Sequence, residues 1–100
     1  MKPSEYFNRN INIGASCIPR ADVDLRGLIG VENMMWGSDY PHPEGTWPHT
    51  REYYTEVFSG VPEAEGRKIL GENAVEWYGL DRQKLQCIAD EIGPDSSIFN

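Results

Sequence analysis

Met34, Met35 and Trp36 form an unbroken apolar run between Asn33 and Gly37. The run is too short for a helix and lies between two glycines, Gly30 and Gly37. It therefore suits a strand buried on both faces, as in a parallel sheet. A parallel neighbour can be joined to it only through a long crossover, usually helical, and this constrains the fold more than any other feature of the chain. The sequence supplies both parts. Residues 10–16, Asn-Ile-Asn-Ile-Gly-Ala-Ser, place Ile11, Ile13 and Ala15 at period two, the pattern of a strand with one apolar face. Between the two strands, after Pro19, Ala21, Leu25, Leu28 and Ile29 recur at helical spacing, and Gly30 stands where a left-handed cap would end the helix. Strand, helix, strand in this order is a βαβ unit with an expected right-handed crossover.

The rest of the chain reads as helical. Pro48 suits a first helical turn, with Tyr53, Tyr54, Val57 and Phe58 on one face and Gly60 as the stop. A second helix begins at Pro62, carries Glu63 and Glu65 in its first turn, and shows Ile69, Leu70, Ala74, Trp77 and Tyr78 as its apolar face before Gly79. Gly66 and Gly71 weaken it, so a kink or break is expected near Gly71. Residues 81–93 allow one further turn or two of helix, and residues 93–100 are expected to fray. The organisation is a single partial α/β domain over 1–100: strand, helix, strand and loop in 10–47, helices in 48–92, and a tail in 93–100.

The charge balance narrows the partners. Nine basic against sixteen acidic residues give a net charge of -7, which argues against nucleic acid or an anionic membrane, since both require a basic surplus. No stretch has the length of a membrane span or the form of a signal peptide, so a cytoplasmic protein is expected. Cys17 and Cys87 are too far apart in sequence to form a CxxC pair and read as packed thiols.

Chemistry concentrates in residues 36–45, Trp-Gly-Ser-Asp-Tyr-Pro-His-Pro-Glu-Gly. Asp39 follows the buried strand, at the end where α/β folds assemble their sites. Pro41 and Pro43 stiffen the loop around His42, which lowers the ordering cost of binding. Two structural roles compete with these: Asp39 as the cap of a turn, and His42 as a packed loop residue. A self-contained metal site from Asp39, His42, Glu44 and His49 would need three or four convergent ligands, which a loop braced by two prolines does not readily provide. No serine or cysteine has the base needed for nucleophilic catalysis, and no glycine pattern suits a phosphate.

Residues 10–16, the stretch Gly-Val-Glu-Asn-Met-Met-Trp-Gly-Ser-Asp-Tyr-Pro-His-Pro-Glu-Gly-Thr-Trp-Pro (30–48), and Ile-Leu-Gly-Glu-Asn-Ala-Val-Glu-Trp-Tyr-Gly-Leu-Asp (69–81) together resemble the C-terminal part of the amidohydrolase-2 family. Its members are metal-dependent hydrolases and decarboxylases built on a (β/α)8 TIM barrel. The resemblance implies that the two strands are the last two of that barrel, with their helices and a C-terminal helical extension. It implies that Asp39 contributes to the metal site and orients or deprotonates the nucleophilic water. It places His42 at the mouth of the site, facing a small-molecule substrate. The implied cofactor is a divalent metal, zinc foremost. The family also uses a His-x-His pair after the first strand and histidines from middle strands, whereas this chain has only His42 and His49. A complete barrel takes about 250 residues. The expectation is thus a C-terminal fragment, with Met1 an internal methionine, a misplaced start or the start of a truncated gene, inactive alone and holding no metal stably. Hydrolysis and decarboxylation stay equally open. A fragment of this kind should self-associate or require a complementing barrel segment. The alternatives are a small non-catalytic α/β binding or assembly module, and a standalone metalloenzyme sharing ligands between copies.

Overall fold

The computed structural model describes residues 1–100. Its sheet has two strands, β1 (Ile13–Ser16) and β2 (Met34–Gly37), hydrogen-bonded in parallel with Ile13 opposite Met34 and Ser16 opposite Gly37. Met34 and Met35 project to opposite faces of β2, and both are buried, as the continuous apolar run requires. The face expected of β1 is less covered: Ala15 packs against the core, while Ile11 and Ile13 are exposed.

The crossover departs from a single amphipathic helix. It consists of α2 (Arg20–Asp24) and α3 (Arg26–Ile29), which break at Leu25, and a 3₁₀ turn at Val31–Asn33 that leads into β2. Val23 is fully buried and Ile29 packs on the core, whereas Leu25 and Leu28 face solvent. The break turns Val23 inward, and Arg20 then reaches across to the Val57 and Ser59 carbonyls at the end of the next helix.

That helix, α4 (Thr50–Phe58), buries Val57 and Phe58 and half-buries Tyr54. The second long helix is divided as expected around Gly71: α5 (Glu63–Arg67) and α6 (Asn73–Tyr78) flank a widened π-type turn at Lys68–Glu72. The turn packs Ile69 against β2, but Trp77 and Tyr78, expected on the buried face, are exposed. One core results, joining Ile18, Val23, Met34, Val57, Phe58, Val61 and Ile69 beneath the sheet.

Two helices exceed the sequence reading. α1 (Pro3–Asn10) has no buried residue, and α7 (Arg82–Ile92) extends for 11 residues behind an Asp81 N-cap. Residues 93–100 do not fray. Ser96–Phe99 form a 3₁₀ turn that buries Ile98, sets Phe99 edge-on to Phe58 at 6.3 Å, and accepts the Gly60 amide on the Phe99 carbonyl at 2.8 Å. An aromatic ring offered to an open core edge outweighs the usual freedom of a chain end. Cys17 is half-buried and Cys87 exposed, so only the first is a packed thiol. No helix is long and apolar enough to cross a membrane.

Candidate functional site

The pairing of β1 with β2 continues one residue past the end of β1, where the Cys17 amide donates to the carbonyl of Gly37, the last residue of β2, at 2.9 Å. The chain then turns sharply at Asp39, whose φ of 58° lies in the left-handed region. Aspartate tolerates that region better than most residues because it can make local polar contacts. A run of turns follows. The His42 amide donates to the Asp39 carbonyl at 2.7 Å, the Gly45 amide to the His42 carbonyl at 2.9 Å, and the Thr46 amide to the Ser38 carbonyl at 2.9 Å.

The last of these bonds closes the base of the loop. Thr46 is buried, with its hydroxyl 3.0 Å from that of Thr50 in the first turn of α4. Gly45 fills the closure point for a steric reason: a Cβ there would lie 2.6 Å from the Ser38 carbonyl oxygen and 2.9 Å from that of Asp39. Tyr40 and Trp47 meet edge-to-face at 5.5 Å across the loop. Behind the strand end, Trp36 packs edge-on against Tyr54 and Phe58. Burial raises the Tyr54 phenol above its ordinary range, so it is a neutral wall and not an anion. The loop is held by its own backbone bonds and by a rigid aromatic base.

This leaves the Asp39 carboxylate free of the turn. The turn bonds use its carbonyl and the Ser38 hydroxyl, which accepts the Tyr40 amide, and no backbone amide bonds to the carboxylate. Its one neighbour of opposite character is His42, with Nδ1 3.5 Å from Oδ2. The same Nδ1 accepts the Glu44 amide at 3.2 Å. One lone pair cannot both accept that hydrogen and carry a proton toward Asp39, so the neutral ring bears its hydrogen on Nε2. Both side chains are accessible, Asp39 to 41% and His42 to 55%. They present an acceptor and a donor on one exposed rim.

The other loop candidates go elsewhere. His49 lies at the N-cap of α4 with its ring 3.7 Å from Glu52, and Glu44 is exposed with its carbonyl 3.6 Å from the Cys17 thiol. No three histidine, cysteine or acidic side chains converge anywhere in the chain. These residues therefore do not fit a complete metal centre, because one carboxylate and one imidazole fall short of the three or four donors that such a centre needs.

The sequence reading passed over two structural residues of this region, Thr46 and Asn73. Asn73, in Gly-Glu-Asn-Ala (71–74), donates from Nδ2 to the carbonyls of Val31 at 2.7 Å and Met34 at 2.8 Å, and so anchors the start of β2 to α6. A polar residue on an otherwise apolar helix face was the available signal.

Residues 11–80, from β1 through the Asp39 loop to the end of α6, match the family model described as Amidohydrolase. The chain belongs to the amidohydrolase family. Its members fold as TIM barrels and are generally metal-dependent. The parallel two-stranded sheet with its crossover and helices is compatible with part of such an α/β fold. Within this amidohydrolase chain, α1, α7 and the C-terminal 3₁₀ turn lie outside the matched span. No curated protein and no solved structure matches the chain.

Proposed function

We propose that this chain forms the last two strands of an amidohydrolase barrel, and that Asp39 is its catalytic carboxylate. The observation that carries the reading is the position of Asp39: just past a buried parallel strand, on a loop closed by its own hydrogen bonds, with the carboxylate left out of those bonds. In this reading Asp39 would be one donor to a divalent metal, zinc foremost, whose other donors this chain does not carry, and its carboxylate would orient or deprotonate a water there. Such a metal, when bound, would supply a lowered water pKa and a polarised substrate carbonyl. His42, donating from Nε2 at the rim, orients a small-molecule substrate. Hydrolysis and decarboxylation are both compatible with this arrangement. The chain alone is inactive, and its exposed sheet edge receives either a complementing barrel segment or another copy. A cytoplasmic setting is part of this reading.

Zinc titration of the 100-residue chain tests the assignment. The expected result is weak, non-stoichiometric binding that Asp39→Ala leaves unchanged. Tight stoichiometric zinc lost in Asp39→Ala would replace this reading with a self-contained metalloenzyme. In source cells, material carrying the Trp36–Gly45 peptide should show metal-dependent turnover, and Asp39→Asn should lower it by about a hundredfold or more.

A further inference from the structure

α7 is an amphipathic helix none of whose residues is buried. Leu85, Ile88, Ala89 and Ile92 fall within about 100° of its surface, the width of the stripe that a helix of a globular protein covers. All four line an open groove of about 810 Å³, whose other wall includes Leu70, Val75 and Phe99. The ends of α7 are tethered to the body: Arg82 Nη1 lies 3.8 Å from the Glu72 carboxylate, and Arg51 donates to the Ile92 carbonyl at 3.0 Å. Between these tethers Ile88 stays 53% exposed. α7 lies beyond the residues that match the amidohydrolase model, so that match does not account for its stripe.

The charges of α7 indicate the kind of partner that fits. Arg82 and Lys84 stand in its first turn and Asp90 and Glu91 in its last, the reverse of the order that suits a helix dipole. Lys84 and Glu91 have no ion-pair partner within the chain. They lie about two turns apart on one flank of the stripe. A second α7 running the opposite way answers this arrangement. With a two-fold axis beside Ile88, Leu85 faces the other copy's Ile92, Ile88 faces its Ala89, and Lys84 faces its Glu91, each contact being made twice. A parallel neighbour would instead set lysine against lysine and glutamate against glutamate, which repel.

We propose that this chain pairs with a second copy of itself through α7, the two helices antiparallel and each lying in the mouth of the other's groove. The contact is distinct from the open edges of the sheet, and it does not rest on the role given to Asp39. Helices of three turns offer less than the roughly 1,600 Å² that a standard interface buries, so the pairing is weak and set by concentration.

Sedimentation equilibrium of the chain at about 0.15 M salt, where the net repulsion between copies reaches only about 8 Å, provides the test. The parent chain should show a monomer and dimer in equilibrium. Lys84→Glu and Glu91→Lys should each weaken the dimer about tenfold, since two attractive pairs become two repulsive ones. An equimolar mixture of these two variants should restore it, because only the mixed pair sets lysine against glutamate. The double variant Lys84→Glu/Glu91→Lys keeps the net charge of -7 and should dimerise like the parent. Ile88→Asp should leave a monomer, while Ile13→Asp, on the β1 edge, should leave the dimer intact. Single charge variants that associate like the parent, a mixture no stronger than its parts, or a dimer lost in Ile13→Asp but kept in Ile88→Asp would each overturn the proposal. So would a parent chain that stays monomeric at millimolar concentration, which would leave the groove to a partner of another kind. If Ile88→Asp loses helix by circular dichroism, the charge variants decide alone, since they alter no apolar contact.

Discussion

Asn73 is the side chain on which the geometry of the strand most depends. Its amide serves two carbonyls, Val31 and Met34, on either side of the entry to β2, and it is itself buried. Asn73→Ala leaves both carbonyls short of a donor where water has little access, and a lost buried partner costs about 1–3 kcal/mol. A loss of about 2–3 kcal/mol in urea unfolding is the expected outcome, and a loss under about 0.5 kcal/mol would show that the carbonyls find other donors. The Glu32–Lys68 pair makes the opposite kind of contribution. Hydrogen bonding to Lys68 holds the Glu32 carboxyl below its ordinary range, and the same bond raises the Lys68 ammonium. A depressed carboxyl stabilises the fold above its unfolded pKa and loses that contribution as pH falls through the folded value. A raised ammonium does so below its unfolded pKa and loses it as pH rises through the folded one. Both groups are largely exposed, so the effect is small. Unfolding midpoints measured down the acid limb should fall less steeply for Glu32→Gln than for the parent chain, and identical slopes would remove the pair from the account.

Elements were legible in the sequence where apolar spacing alone decided them. Met34 with Met35, and Val57 with Phe58, could be buried only as β2 and α4 bury them. The widened turn between α5 and α6 was likewise signalled by Gly71. Where two apolar sets competed, spacing misled: Leu25 and Leu28 completed a helical stripe, yet the chain buries Val23 and breaks at Leu25. α1 was invisible because it has no buried face, and the tail was misjudged because Phe99 finds its partner, Phe58, far away in sequence. At the site, the position of Asp39 was readable from the strand before it. The freedom of its carboxylate was not, because that depends on which atoms close the turn. Two glycines now separate packing from propensity. A Cβ at Gly66 would lie 2.1 Å from the Phe99 ring, whereas none at Gly71 meets an atom within 4 Å. Gly66→Ala should cost about 1–3 kcal/mol through overpacking and speed hydrogen exchange at the Gly60 amide, which bonds to Phe99. Gly71→Ala should gain about 0.5–1 kcal/mol by helix propensity. If both variants melted alike, the placement of the tail on α5 would be wrong.

On the scale of the whole chain, the sheet is what stands out as unfinished. Each strand has a single partner, so β1 and β2 both carry an outer edge of unpaired backbone groups, and such edges are templates for further pairing. Ile11, Ile13, Leu25 and Leu28 are exposed along the β1 strand and its crossover, which adds apolar surface to an open edge. Against this stands the net charge of -7, which keeps copies apart while the field is unscreened. The two effects respond differently to salt. Screening shortens the reach of the repulsion to about 10 Å at 0.1 M and about 3 Å at 1 M, and apolar association does not weaken with it. Light scattering of the chain across that range should therefore give a mass near 11.4 kDa at low salt that rises with added salt and with concentration. Adding a segment that pairs with the open edges should suppress the rise. A mass that stays at one chain throughout would mean that the helices already shield the edges, and would favour a self-sufficient non-catalytic α/β module over one part of an amidohydrolase barrel.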